Sequence, residues 1–386
     1  MAGRGPRTGG GHRPAEDTRT GHTPDGEPTA HDAALVRVHD LAGRPRGTGF
    51  VADHHGTVIT SHEAVDGLPR LVLHTAGDRT CLVTADAVTP LPDLDLALVR
   101  TEGLGVEPLP VTVRDRVETG RYVRLAAGCW REARVLGATS VTYAATDRFH
   151  LLDEALELAI GTTGRDALRL GGGAAGGPVL DAETGAVVAV LGTALHSGHR
   201  DVGFAVPLRP APSGPLGDLL ARNAATVPAY GADLNLAGVL ELTATSVGQD
   251  GPPGTLEGCV GRTGVEPVER ADTARALAAF VQGPAAVLGL VGPPGSGRTT
   301  ELASLAARRN RGPEPAPTLW LRGADLKEDD TSVADAAGRA LARAARIVAA
   351  ARSTCAAALG DTGPNRLAQT ARTADRPLLL LLDGPE

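Results

Sequence analysis

Apolar and polar positions follow two different rhythms along this chain. Around residues 35–39, 71–73 and 122–125 the apolar side chains alternate with polar ones, and residues 186–191 form a continuous apolar run after the hairpin-type turn Glu183-Thr184-Gly185. Many short strands at regular spacing between residues 33 and 207 predict an antiparallel all-β fold. Within it, the spacing at 153–160 predicts a helical surface insertion, and residues 215–227 a terminal helix. A Gly/Pro-rich stretch, clearest at Gly248–Gly254, predicts a linker.

From about Gly258 the period changes. Residues 271–281 and 301–309 have helical spacing, and residues 331–351 read as a long helix with a Ser332-x-x-Asp335 capping box and a stop near Gly360. Residues 287–291, 318–321 and 377–382 are short apolar runs of strand length. Strands alternating with helices predict a parallel sheet. The chain therefore divides into a tail at 1–31, a β domain at 32–227, a linker at 228–257 and an α/β region at 258–386.

At 386 residues there is enough chain for two cores. A net charge of -7, with aromatics at 2 %, offers neither a basic stripe nor a stacking platform, so no nucleic-acid partner is expected. Lys327 is the only lysine, so arginine carries nearly every cationic position. Cys81, Cys129, Cys259 and Cys355 are far apart without C-x-x-C spacing, which predicts buried thiols in a reducing compartment rather than a metal site or disulfide framework. The tail is rich in Gly, Pro, Arg and Thr and lacks the apolar core of a signal peptide. The run at 377–382 is too short to cross a bilayer. No membrane partner and a cytoplasmic location are expected.

Gly173-Ala174-Ala175-Gly176-Gly177-Pro178 resembles the G-D-S-G-G-P turn of chymotrypsin/trypsin-like serine proteases, with Ala175 at the serine position and Ala174 at the acidic one. Gly47-Thr48-Gly49-Phe50-Val51 is similar to the strand that opens the family's first barrel. Val58 to Val65 resembles the segment of the catalytic histidine, but Glu63 stands in the histidine slot and His62 lies one place early. A one-residue slip points a side chain elsewhere. Asp95, in Asp95-Leu96-Ala97-Leu98-Val99, matches the family's triad aspartate, and Gly203 to Pro207 resembles the strand after the serine turn. The resemblance implies a double β-barrel in which the triad retains only its acid. Because base and nucleophile act as a unit, hydrolysis is not expected. The backbone N–H groups of Gly173 and Ala175 would still form an oxyanion pocket, and the cleft would bind a peptide or protein.

Gly292-Pro293-Pro294-Gly295-Ser296-Gly297-Arg298-Thr299, continuing into Thr300, fits G-x-x-x-x-G-[K/R]-[ST] between an expected strand and helix. Such a turn aims successive N–H groups at phosphates, and the helix N-terminus adds positive potential. Arg298 replaces the lysine of the P-loop family, a swap that alters size and hydrogen-bond geometry. The run ending in Asp383-Gly384-Pro385-Glu386 resembles the D-G-x-[DE] motif of NACHT and other STAND-type ATPases, and Gly261-Arg262 their entry motif. That resemblance implies ATP or GTP with Mg²⁺ as cofactors. Thr299 and Asp383 would hold the metal, and Glu386 would orient water. Residues 258–386 span only the first part of such a module, so the chain is expected to be incomplete, with nucleotide-dependent oligomerisation if it continues.

The expected fold class is thus multidomain: an all-β trypsin-like double barrel followed by a partial α/β P-loop NTPase. The expected function is a nucleotide-controlled signalling or conflict-sensor protein whose protease-like domain binds rather than cleaves. An active, ATP-regulated serine endopeptidase remains the competing class, with Ser61 or Ser197 acting from an unmatched position, and decayed scaffolding is a third. His54-His55, His196 with His199, and Glu154 with Glu157 (read as one exposed helix face) are discounted as sites.

Overall fold

The structure, a computed structural model, describes residues 33–384 except 78, 103, 128, 162–172, 197–201, 212, 251–269 and 353, and only the backbone at 247–250. The alternating segments of the first half become two seven-stranded antiparallel sheets. The first contains β1 (Leu35–His39), β2 (Pro45–Val51), β3 (Val58–Ser61), β4 (Arg70–Thr75), β5 (Thr80–Thr84), β6 (Val88–Leu91) and β7 (Leu96–Val99). Its order is β5-β4-β1-β2-β3-β7-β6.

The second contains β8 (Tyr122–Ala127), β9 (Cys129–Ala144), β10 (Phe149–Ala159), β11 (Pro178–Asp181), β12 (Val187–Gly192), β13 (Leu195–His196) and β14 (Gly203–Pro207). Its order is β10-β14-β12-β11-β8-β9-β13, and a further β9–β10 pairing curls it back on itself. The two curled sheets agree with a trypsin-like double barrel. Helix α1 (Pro215–Thr226) closes this domain. Its Leu216, Leu219 and Leu220 share one buried cluster with Phe50 and Ile59 of the first sheet and Leu180 and Val190 of the second. Burial of such side chains contributes about 2 kcal/mol each, an upper figure for what cements the interface.

Four expectations need correction here. Residues 153–160 are not helical but lie in β10. Its register against β9 shifts between Leu152 and Ala155, and Glu154 takes a positive φ of 65°. The irregularity resets the two-residue phase, so the apolar positions that follow mimic helical spacing. Glu154 and Glu157 therefore do not share a helix face.

Part of the expected linker is helix α2 (Leu236–Asp250). Its Val239 and Leu242 are fully buried in the core of the second region, because a helix with an apolar stripe gains more by docking than by staying a tether. Residues 251–257 lie outside the described part.

The second region continues with α3 (Ala271–Gln282), α4 (Arg298–Arg311), β15 (Thr318–Arg322), α5 (Val333–Ala351), α6 (Pro364–Thr373) and β16 (Leu379–Asp383). The Ser332–Asp335 capping box starts α5, and β15 and β16 pair in parallel from Thr318↔Leu379 to Arg322↔Asp383. Residues 287–291, however, form no strand. Val287 and Val291 are 85 % and 99 % exposed. An apolar run becomes a strand only when a neighbour completes its ladder, and none pairs with it among the described residues.

The thiols depart from expectation as well. Cys81 is half-buried, whereas Cys129 and Cys355 are exposed and free, and Cys259 lies outside the described residues. Among the described residues no helix is long and apolar enough to cross a membrane, and no group of three or more His, Cys, Asp or Glu side chains could hold a metal.

Candidate functional site

Several segments meet where the two sheets face each other. The glycine turn after residue 172 approaches β2 and β3: Thr48 donates its hydroxyl to the Gly173 carbonyl and its N–H to the Ala175 carbonyl at 2.7 Å. Gly176 has φ +81°, and a Cβ there would lie 2.1, 2.3 and 2.6 Å from Thr60 Oγ1, the Thr48 carbonyl and Ser61 N. Only glycine fits that position. The N–H groups of Gly176 and Gly177 turn inward to the Leu191 and Ala174 carbonyls. The Ala175 N–H has no acceptor among the described residues, and the Ala175 methyl is buried.

Glu63 lies on the short 3-10 turn His62–Ala64 that leaves β3. Its backbone N–H donates to Asp95 Oδ1 at 3.2 Å, while the His62 N–H donates to the Asp95 carbonyl at 3.1 Å. The Glu63 side chain reaches the second sheet. Its Oε1 accepts from the Thr193 N–H at 2.9 Å and the Thr193 hydroxyl at 2.6 Å, and its Oε2 accepts from the Ala194 N–H.

Asp95 is fully buried, and its Oδ2 has no hydrogen-bond partner. Burial first, and the nearby negative charge of Glu63 second, push its carboxyl up to about 8, so it is neutral at pH 7. Among the described residues no imidazole stands against it. The His62 ring is buried with Nδ1 at 2.7 Å from the Tyr143 hydroxyl of β9, and burial lowers its pKa. Ser61 Oγ is buried without a partner, and Ser197 lies outside the described residues.

In the second region the glycine turn ends with Gly295 and Gly297 at φ +77° and +82°, and Gly297 caps the N-terminus of α4. Thr299 donates its hydroxyl to Asp383 Oδ1 at 2.9 Å, bringing together two residues 84 positions apart. Gly292 approaches Ser296 so closely that a Cβ would lie 2.8 Å from Ser296 Oγ, which is buried without a partner. Arg298 is half-buried and makes no ion pair among the described residues, and Thr300 is exposed. A hydroxyl and a carboxylate oxygen side by side fit a hard divalent cation. Glu386, Gly261 and Arg262 lie outside the described residues.

Sequence patterns gave no sign of Thr193 and Ala194, whose contribution is backbone N–H groups. They also missed the Tyr143–His62 pair and a contact between Arg270 and buried Glu301 beside the second glycine turn. Each joins residues 31 or more positions apart, so no local spacing marks it.

Residues 47–190 match the family described as Trypsin-like peptidase domain. Among solved structures it is similar to the active form of the Rv3671c protease of M. tuberculosis, at 23 % identity over 52 % of this chain and 84 % of that one, with a TM-score of 0.37. The inactive form of the Rv3671c protease gives 22 % identity over 46 % and 85 %, with a TM-score of 0.34. A serine endoprotease of Yersinia pestis gives 15 % identity over 46 % and 59 %, with a TM-score of 0.34. No curated protein matches the chain.

Proposed function

We propose that this chain is a protease-like binding module without hydrolytic chemistry, placed under the control of a phosphate-loop nucleotide site. The observation that carries the first half is the state of Asp95. An aspartate that orients a catalytic imidazole needs that imidazole on its free oxygen, yet Asp95 Oδ2 is buried and unpartnered. Glu63 contributes only its backbone there and spends its carboxylate on Thr193 and Ala194. With Ala175 at the turn, there is no group to deprotonate and none to attack. The Ala175 N–H, free of any acceptor among the described residues, suits a peptide carbonyl, which makes a peptide or protein segment the ligand class.

The nucleotide half rests on the Thr299–Asp383 hydrogen bond and the two left-handed glycines before α4. Thr299 and Asp383 would hold Mg²⁺, which neutralises phosphate charge when bound, and the turn's N–H groups with Arg298 would hold the phosphates of ATP or GTP. A nucleotide-controlled signalling or conflict-sensor role follows from joining such a switch to a binding module.

Two measurements test this. Mg²⁺-dependent binding of a fluorescent ATP analogue is expected for the full chain and lost in Thr299→Ala and Asp383→Ala; absence of binding in the unaltered chain would sink the nucleotide half. Fluorophosphonate treatment is expected to label no serine. Stoichiometric labelling would replace the binding module with an active serine endopeptidase.

A further inference from the structure

Arg270 stands immediately before α3, and Glu301 lies in the first turn of α4. The Arg270 Nε donates to Glu301 Oε1 at 2.8 Å, and its backbone N–H reaches the same oxygen at 3.4 Å. Glu301 is only 4 % exposed and its Oε2 is buried without a partner, whereas the Arg270 side chain is 53 % exposed. The guanidinium lies beside the glycine turn: a Cβ on Gly297 would stand 3.5 Å from Arg270 Nη2.

A buried carboxylate with one idle oxygen is an expensive way to hold two helices together, since an apolar pair of equal volume is as stable or more so. The arrangement does something an apolar pair cannot. It consumes one of the five guanidinium N–H groups, fixes the plane of the fork, and leaves the terminal donors beside the N-terminus of α4. No other ion pair of Arg270 is seen among the described residues.

We infer that Arg270 is a second phosphate-binding cation of the nucleotide site, positioned by Glu301 to donate to oxygens of a di- or triphosphate chain. The inference rests on the nucleotide site proposed above. It also gives the turn a fork-shaped phosphate ligand in addition to Arg298, which occupies the place of the usual lysine.

The test uses the full chain with Mg²⁺ and three fluorescent probes: methylanthraniloyl derivatives of ATP, ADP and AMP. Arg270→Gln is expected to weaken ATP and ADP binding by about tenfold or more, the worth of one charge-assisted hydrogen bond, while AMP changes little. Glu301→Gln is expected to show the same selectivity more weakly, because it frees the fork without removing it. Equal weakening of all three probes, or none, would reduce Arg270 to a structural partner of Glu301 and overturn the inference with the nucleotide site intact. No binding of any probe to the unaltered chain would overturn both. If Arg270→Gln does not fold, Arg270→Lys keeps a charge against Glu301 but cannot serve two partners with a planar fork, and the same ATP- and ADP-selective loss is expected.

Discussion

Arg114 grips Asp233, with Nε at 3.2 Å and Nη2 at 2.7 Å from Oδ1. The same Nη2 lies 3.0 Å from Asp181, which Arg121 also contacts. Thr112 and Thr184 add their hydroxyls to Asp233, and the Asp181 and Asp233 side chains are 1 % and 4 % exposed. Asp181 ends β11, the strand that begins right after the Ala175 turn, while Asp233 ends the short turn Gly231–Asp233 just before α2. Helix α2 packs on β15, which pairs with the strand carrying Asp383. The two regions are thus joined through a buried ionic hub rather than a tether.

Asp233→Ala is expected to destabilise the junction by about 3 kcal/mol, because Arg114 loses a desolvated partner. Calorimetry should resolve two thermal transitions in the variant where the unaltered chain shows one. A single unchanged transition would show that the hub does not couple the regions.

Asp95 gives a pH signature. Its folded pKa of about 8 lies above its ordinary 3.8, so between these values the folded chain holds a proton that the unfolded chain has released. Its contribution to stability is therefore fully present below pH 4, falls as pH rises, and is lost above 8, with a slope of at most about 1.4 kcal/mol per pH unit. Asp95→Asn keeps an acceptor for the Glu63 N–H and removes the titration. Urea unfolding from pH 4 to 9 should show the variant gaining on the unaltered chain as pH rises; parallel curves would contradict a neutral Asp95.

Restoring one catalytic group should not restore chemistry. Ala175→Ser alone leaves the hydroxyl without a base, and Glu63→His alone offers an imidazole to Asp95 with no nucleophile. Only the double variant is expected to react with a fluorophosphonate. Labelling of Ala175→Ser by itself would mean that His62 leaves Tyr143 to act as the base.

Gly176→Ala should cost several kcal/mol, on the order of 3 or more, because both its positive φ and the backbone atoms of Thr48 and Ser61 exclude a methyl group. The loss should appear as a lower melting temperature and as faster amide exchange at the Ala175 turn. An unchanged melting temperature would mean that the turn can open without consequence.

Much of the fold was visible in the residues themselves. The alternation at 35–39 and 122–125, the Ser332–Asp335 capping box and the glycines at 295 and 297 each depend on neighbours a few positions away. At β10 this local logic failed, because a register shift changed the phase of the apolar positions. At 287–291 it failed because a strand requires a partner. At α2 it failed because the Gly/Pro-rich stretch nearby read as a linker, although the helix docks into the second core.

By itself the sequence determined which side chains occupy the two glycine turns, hence that Ala175 brings no nucleophile and Thr299 brings a hydroxyl. Periodicity and turn chemistry are local, and local conformational preferences suffice to express them. Tertiary structure alone decided where the charges settle. It put the Glu63 carboxylate on Thr193 and Ala194, left Asp95 Oδ2 without a partner, paired Arg270 with Glu301, and closed Arg114 onto Asp233. Those outcomes depend on which surfaces pack together and how much water they exclude, and no spacing along a chain encodes either.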